Sequence, residues 1–148
     1  MNKIIKYLNP IYLLSIIVLP IFFCLQVSVA SEFNFGTGLA AKSYLAKTTT
    51  INATYKYDDV IYAVGEHGAI LYSDTWGMNW TQSEKVPFMN TLTDINCVSD
   101  SKCWAVGHDA TILYTSDGGR KWVKQYEDLD FYAPLLSIFM QDYLRGIA

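Results

Sequence analysis

Val64 to Trp80 reads VGEHGAILYSDTWGMNW, and 42 residues later Val106 to Trp122 reads VGHDATILYTSDGGRKW, aligned without a gap. Val64 matches Val106 and Gly65 matches Gly107, while Ile70-Leu71-Tyr72 matches Ile112-Leu113-Tyr114. Gly77 matches Gly119 and Trp80 matches Trp122. Upstream, Ile61-Tyr62-Ala63 falls on Cys103-Trp104-Ala105. A third copy opens near Leu135, where LLSIFMQDYLRGIA follows the trace of LTDINCVSDSKCWA at an offset of 43. Self-similarity at a fixed period restricts a chain to architectures in which one supersecondary unit is reused and each unit buries its apolar face against the next.

Each copy reads as short strands separated by turn signals, with no helical spacing outside the N-terminal segment. In the complete copy, strands are expected at about 92–98, 103–107, 111–116 and 121–126. Four antiparallel strands in ~40 residues make one propeller blade, and such a period marks radial repeats rather than a sandwich. The expected fold is all-β: a partial β-propeller of two four-stranded antiparallel blades plus the start of a third, preceded by a helical signal segment. The blades fall at about 49–90, 91–133 and 134–148. A propeller closes with about 4–8 blades, and closure removes free strand edges. At this period the 148 residues hold fewer than three after the leader, so the chain reads as a fragment of a larger ring. Several short chains sharing one ring is the alternative. Either way, marginal stability and association through open edges are expected.

The turn before each repeated Trp has a physical logic. In Thr115-Ser116-Asp117-Gly118-Gly119-Arg120-Lys121-Trp122, the Asp117 carboxylate accepts backbone N–H groups and Gly118 and Gly119 take positive φ angles. Trp122 then starts the outer strand and wedges its ring between neighbouring sheets. In the first copy, Ser73, Gly77 and Trp80 are kept, but Thr75 stands where Asp is expected, so that turn is held less firmly. Gly65, Ser73, Gly77, Trp80, Gly107, Asp117, Gly118, Gly119 and Trp122 are therefore assigned to the architecture, not to chemistry.

The N-terminus supplies an address. Residues 1–10 carry Lys3 and Lys6 and no acid, Ile11 to Leu25 is apolar apart from Ser15, and Ser28-Val29-Ala30 puts small residues before Ser31. That pattern predicts a secretory signal peptide over 1–30, cleaved after Ala30, and hence a periplasmic or secreted protein. A retained N-terminal anchor is the alternative, since Ile11 to Ala30 is long enough to span a bilayer. Cys24 leaves with the signal, and Cys97 and Cys103 remain as a pair suited to a disulfide across a hairpin, or else to two buried thiols. Residues 31–48 read as a linker or as a closing strand.

The repeats with Val-Gly, Ile-Leu-Tyr-x-Ser and Asp-Gly-Gly-x-x-Trp resemble bacterial-neuraminidase-type (Asp-box) repeats, and most of all the photosystem II stability and assembly factor family. The resemblance covers about Thr49 to Ala148. It implies an exported, non-enzymatic propeller scaffold that binds a protein partner, a membrane complex on its exported face, and helps to assemble or stabilise it. The family's binding surface includes a basic patch, and here Arg120, Lys121 and Lys124 form the local basic cluster.

Other classes fare worse. A net charge of −3, falling further once Lys3 and Lys6 are gone, argues against nucleic acid. With 51% hydrophobic and 15% aromatic residues, disorder is excluded. The enzyme alternative is a fragment of a sialidase-type glycoside hydrolase, which needs an arginine cluster, a Tyr–Glu nucleophile pair and an acid Asp. Arg120 and Arg145 are the only arginines, one in a turn and one in the third copy. His67 and His108 lie near equivalent turns but one position out of register, and read as exposed turn residues, as do the nearby acids Glu66, Asp74 and Asp109. The glycosylation sequons at Asn52 and Asn79 matter only in a eukaryotic secretory pathway. No catalytic residue, cofactor, metal set or small-molecule substrate is indicated.

Overall fold

The computed structural model describes residues 38–131 and 133–148. The expected signal segment over 1–30, its expected cleavage point and residues 31–37 lie outside them. The described chain is all-β, with two four-stranded antiparallel meanders and a two-stranded hairpin. The first sheet comprises β1 (Ile51–Tyr57), β2 (Val60–Gly65), β3 (Ile70–Ser73) and β4 (Thr81–Gln82); the second comprises β5 (Leu92–Cys97), β6 (Cys103–Gly107), β7 (Ile112–Thr115) and β8 (Val123–Tyr126). β9 (Phe139–Met140) and β10 (Gly146–Ile147) form the hairpin. No sheet among the described residues closes on itself. No helix among them is long and apolar enough to cross a membrane.

The repeat is reproduced pair by pair in the hydrogen-bond registers. Ile61 pairs Ser73 as Cys103 pairs Thr115, Tyr62 pairs Tyr72 as Trp104 pairs Tyr114, and Leu71 pairs Gln82 as Leu113 pairs Lys124. In both sheets the first strand shifts register at the same place, between Ile51 and Ala53 and between Leu92 and Asp94. The third copy keeps the pattern, because Met140 pairs Gly146 as Cys97 pairs Cys103. Its tip is built alike: Gln141 N–H donates to the Arg145 carbonyl at 2.9 Å, as Val98 does to Lys102 at 3.0 Å. Asp142 Oδ1 accepts the Arg145 amide where Ser99 Oγ accepts that of Lys102.

Strand ends differ slightly from the sequence reading. The last strand of the complete copy begins at Val123, not at 121, because Trp122 is turned into the core with its own amide donated to the Lys85 carbonyl, 2.9 Å away. Short 3-10 turns occur at Tyr44–Thr48 and Glu66–Gly68, where no helix is expected from spacing.

Layering follows from alternation along each strand. One face of the first sheet, Tyr62, Val64 and Ile70, packs on Cys103, Ala105, Leu113 and Trp122 of the second. We call these the forward and backward faces. The second sheet's forward face, Trp104, Val106, Ile112 and Tyr114, packs on Leu135, Ile138 and Met140 of the third copy. The first sheet's backward face, Ala63, Leu71 and Trp80, is covered by Ala46 from the Tyr44–Thr48 turn. β6 is consequently buried at every residue. A strand covered on both sides loses the in/out alternation that marks a half-exposed one.

Candidate functional site

The Asp-turn of the second sheet is a tightly bonded corner. Asp117 Oδ1 accepts the amides of Arg120 and Lys121, each at 3.0 Å, and the Thr115 hydroxyl at 2.8 Å. Partial burial pushes this carboxyl up, but the Lys121 amide, the Thr115 hydroxyl and the Arg120 amide outweigh it and hold its pKa below the usual carboxylate value. Gly118 and Gly119 adopt φ of 75° and 84°. In the first copy, Thr75 Oγ1 accepts one amide, that of Asn79 at 2.9 Å, and Trp76 stands in the left-handed region with φ 56° where the sister turn has Gly118. A bulky side chain there is a rare conformation.

Trp122 is 1% exposed between the sheets. Its indole N–H is shared by the Gly119 carbonyl (3.1 Å) and Ser83 Oγ (3.2 Å), and Ser83 in turn donates to Gly119. Trp80, its counterpart, is only half-buried, with a hollow of about 350 Å3 beside it lined by Lys42, Ser43, Ala46, Leu71 and Gln82. Cys97 and Cys103 are joined as a disulfide at a register pair of β5 and β6, facing the first sheet.

Bonds between copies also repeat. Asn52 Nδ2 donates to the Leu92 carbonyl, and Thr93 Oγ1, one copy later, donates to the Leu135 carbonyl. The second boundary is the more polar one. Asp94 Oδ2 accepts Ser137 Oγ and the Ile138 amide, and Asn96 Oδ1 accepts the Met140 amide, where the first sheet carries Ala53 and Tyr55.

Two members of the basic cluster are paired with acids. Lys121 lies 3.8 Å from Glu84, and Lys124 is 2.6 Å from Glu127. Arg145 is paired with Asp142 at 2.7 Å, a contact that holds the Asp142 carboxyl below its ordinary pKa. Three lysines lie over aromatic rings among the described residues: Lys56 over Trp76 and Lys102 over Tyr143, each 4.7 Å from the centroid, and Lys124 over Phe88 at 5.9 Å. Trp76, Lys102 and Tyr143 lie in the connections between strands, as do Arg120 and Arg145.

His67 and His108, one register position apart in the repeat, nevertheless converge. Both line a polar hollow of about 350 Å3 with Glu66, Met89, Asn90 and Thr91. Sequence spacing missed this because the connection from β4 to β5 brings Asn90 between the two turns: the Gly68 amide donates to the Asn90 carbonyl and Asn90 Nδ2 donates to Asp109 Oδ2 at 2.6 Å. Among the described residues, no three His, Cys, Asp or Glu side chains are grouped to hold a metal ion.

Comparison with family models, curated proteins and solved structures found no match to this chain. Function must be argued from the sheets, their faces and their tips.

Proposed function

We propose that this chain is a set of propeller-type blades that serves, after export, as a non-enzymatic scaffold holding a membrane protein complex, in the manner implied by its resemblance to photosystem II assembly factors. The observation that carries the reading is the shared register of successive copies, down to the shifted pair in the first strand and the capped hairpin tip. Repetition of this kind builds a surface by adding layers, and layered repeats present extended binding faces rather than one enclosed pocket. The Cys97–Cys103 disulfide is compatible with an oxidising compartment. Exposed aromatic and aliphatic side chains at the tips, among them Trp76 at 62% and Leu144 at 76%, are of the type that seats in a protein partner.

A glycosidase gains no support from the side-chain placement. Arg120 and Arg145 lie at tips, and Arg145 is already engaged by Asp142. The hydroxyl of Tyr62 donates to the Asp100 carbonyl rather than to a glutamate.

The test is fractionation followed by crosslinking in cells that express the tagged full chain. Recovery in the exported fraction, with the disulfide formed and a membrane complex captured by the crosslinker, is expected. Recovery in the cytoplasm with both thiols reduced, or hydrolysis of a fluorogenic sialoside by the purified chain, overturns the reading.

A further inference from the structure

Among the described residues the stack contains two mated boundaries and, on its two outer sides, the separate halves of a third. Within the chain, the forward face of the first sheet meets the backward face of the second. There Tyr62 is 0% exposed and Trp122 1%. Two repeats beyond Tyr62, the equivalent position is Ile147, which is 75% exposed, and beside it Phe139, equivalent to Tyr55, is 60% exposed. No described residue thus covers the forward face of the third copy at Phe139 and Ile147. At the opposite end the backward face of the first sheet repeats the residues of the buried one: Ala63 for Ala105, Leu71 for Leu113 and Trp80 for Trp122.

That backward face has a provisional cover. Of the described side chains of the 38–48 segment, Ala46 enters this apolar cluster and Ala40 packs on the core between the two sheets; the bonds of the strip include Ser43 N–H to Gln82 Oε1 and Gln82 Nε2 to the Ala41 carbonyl, both 2.9 Å, and Ala40 N–H to the Val86 carbonyl at 2.8 Å. Hollows of about 350 and 420 Å3 remain alongside. The second sheet's version of this face, by contrast, is sealed by Val86 and Phe88 as well as by the first sheet. A cover that leaves these hollows and a half-buried Trp80 opens locally at lower cost than the boundary sealed around Trp122.

We infer that the two ends bind each other between molecules: the Phe139–Ile147 face of one copy docks on the Ala63–Leu71–Trp80 face of a second copy and displaces the Tyr44–Thr48 turn. The occupant is a second copy because the chain already contains this pair of faces mated, in the same registers and with equivalent residues. The terminal face matches the apolar first boundary more closely than the polar second one, since Ser137 and Phe139 stand where the first sheet has Ala53 and Tyr55 and the second has Asp94 and Asn96. Contact between two different faces is heterologous, so copies add head to tail and either close into a ring or extend. This inference stands on the repeated faces and does not depend on what the scaffold binds.

Sedimentation velocity of the full 148-residue chain over a dilution series tests it. Species of two or more chains that grow with concentration are expected. I147D, at an exposed position, should lose them while keeping the melt that the wild type shows at its lowest concentration. W80E should lose them too, and an equimolar mixture of the two variants should regain a dimer and nothing larger, because each supplies the face that the other lacks. Should W80E fail to fold, I147D mixed with wild type still decides the matter: the variant retains one good face and caps growing wild-type assemblies. Hydrogen exchange at the amides of Ala46 and Thr49 should quicken on association, since both belong to the displaced turn. A wild-type monomer at every concentration, association untouched by I147D, or protection of Ala46 and Thr49 unchanged on association overturns the inference.

Discussion

Thr111 is fully buried and its hydroxyl has no hydrogen-bond partner among the described residues. The first copy has Ala69 at this place, also buried, so the repeat itself shows that the fold does not need the oxygen. A buried polar group left unpaired costs about 1–3 kcal/mol relative to an apolar group of the same shape. Thr111→Val should therefore stabilise the chain by about 1–2 kcal/mol. The check is a urea titration in which the midpoint rises at unchanged slope. A midpoint at or below that of the parent would show that the hydroxyl is satisfied in solution. The difference between Ala69 and Thr111 is visible in the sequence, yet its consequence is not. Only the packing tells which neighbour closes over position 111.

At the scale of the element, the Val-Gly pair ending β2 and β6 explains why those strands stop where they do. A Cβ on Gly107 would lie 2.3 Å from the Thr91 carbonyl oxygen and 2.9 Å from Leu92 Cα; on Gly65 it would lie 1.9 Å from the Thr50 carbonyl oxygen. The chain entering each sheet crosses directly over the glycine, and the following amides, Glu66 and His108, donate to those same carbonyls. Backbone cannot move aside as a side-chain end can. Gly107→Ala is expected to destabilise by about 1–3 kcal/mol, the range for forced overpacking, measured as a lowered melting midpoint. Much of this level was legible beforehand, because the registers follow the aligned residues one for one from Ile61 to Lys124. The tips were less so. The first hairpin turns over Asp58-Asp59 and the second over Ser99-Asp100-Ser101, which moves the offset from 41 before the tip to 42 after it. The full burial of β6 and the meeting of His67 with His108 were not legible either, since both depend on which layer lies opposite.

In the molecule as a whole, Tyr62 ties one layer to the next. It is buried, its hydroxyl donates to the Asp100 carbonyl of the second sheet at 3.1 Å, and its ring lies against the Gly119 corner. Burial, with smaller contributions from Asp100 and Tyr72, pushes its phenol from 10.0 up to about 12. The folded chain holds this proton more tightly than the unfolded chain does. The resulting stability is intact below pH 10 and drains away as the pH climbs towards 12. Tyr62→Phe should be less stable at neutral pH through loss of the bond between sheets, and should lose less on going from pH 10 to 12. Parallel alkaline melts of the two proteins decide this, and equal alkaline losses would count against it.

The four tryptophans are distributed one to each kind of environment: Trp76 in water, Trp80 under the Ala46 cover, Trp122 between the two sheets and Trp104 against the third copy. An indole's emission reddens when water reaches it, so single-tryptophan versions of this chain carry their own colour scale. Each boundary in the stack reports its parting by a separate lamp, and the order in which they change gives the sequence of dismantling without any added dye.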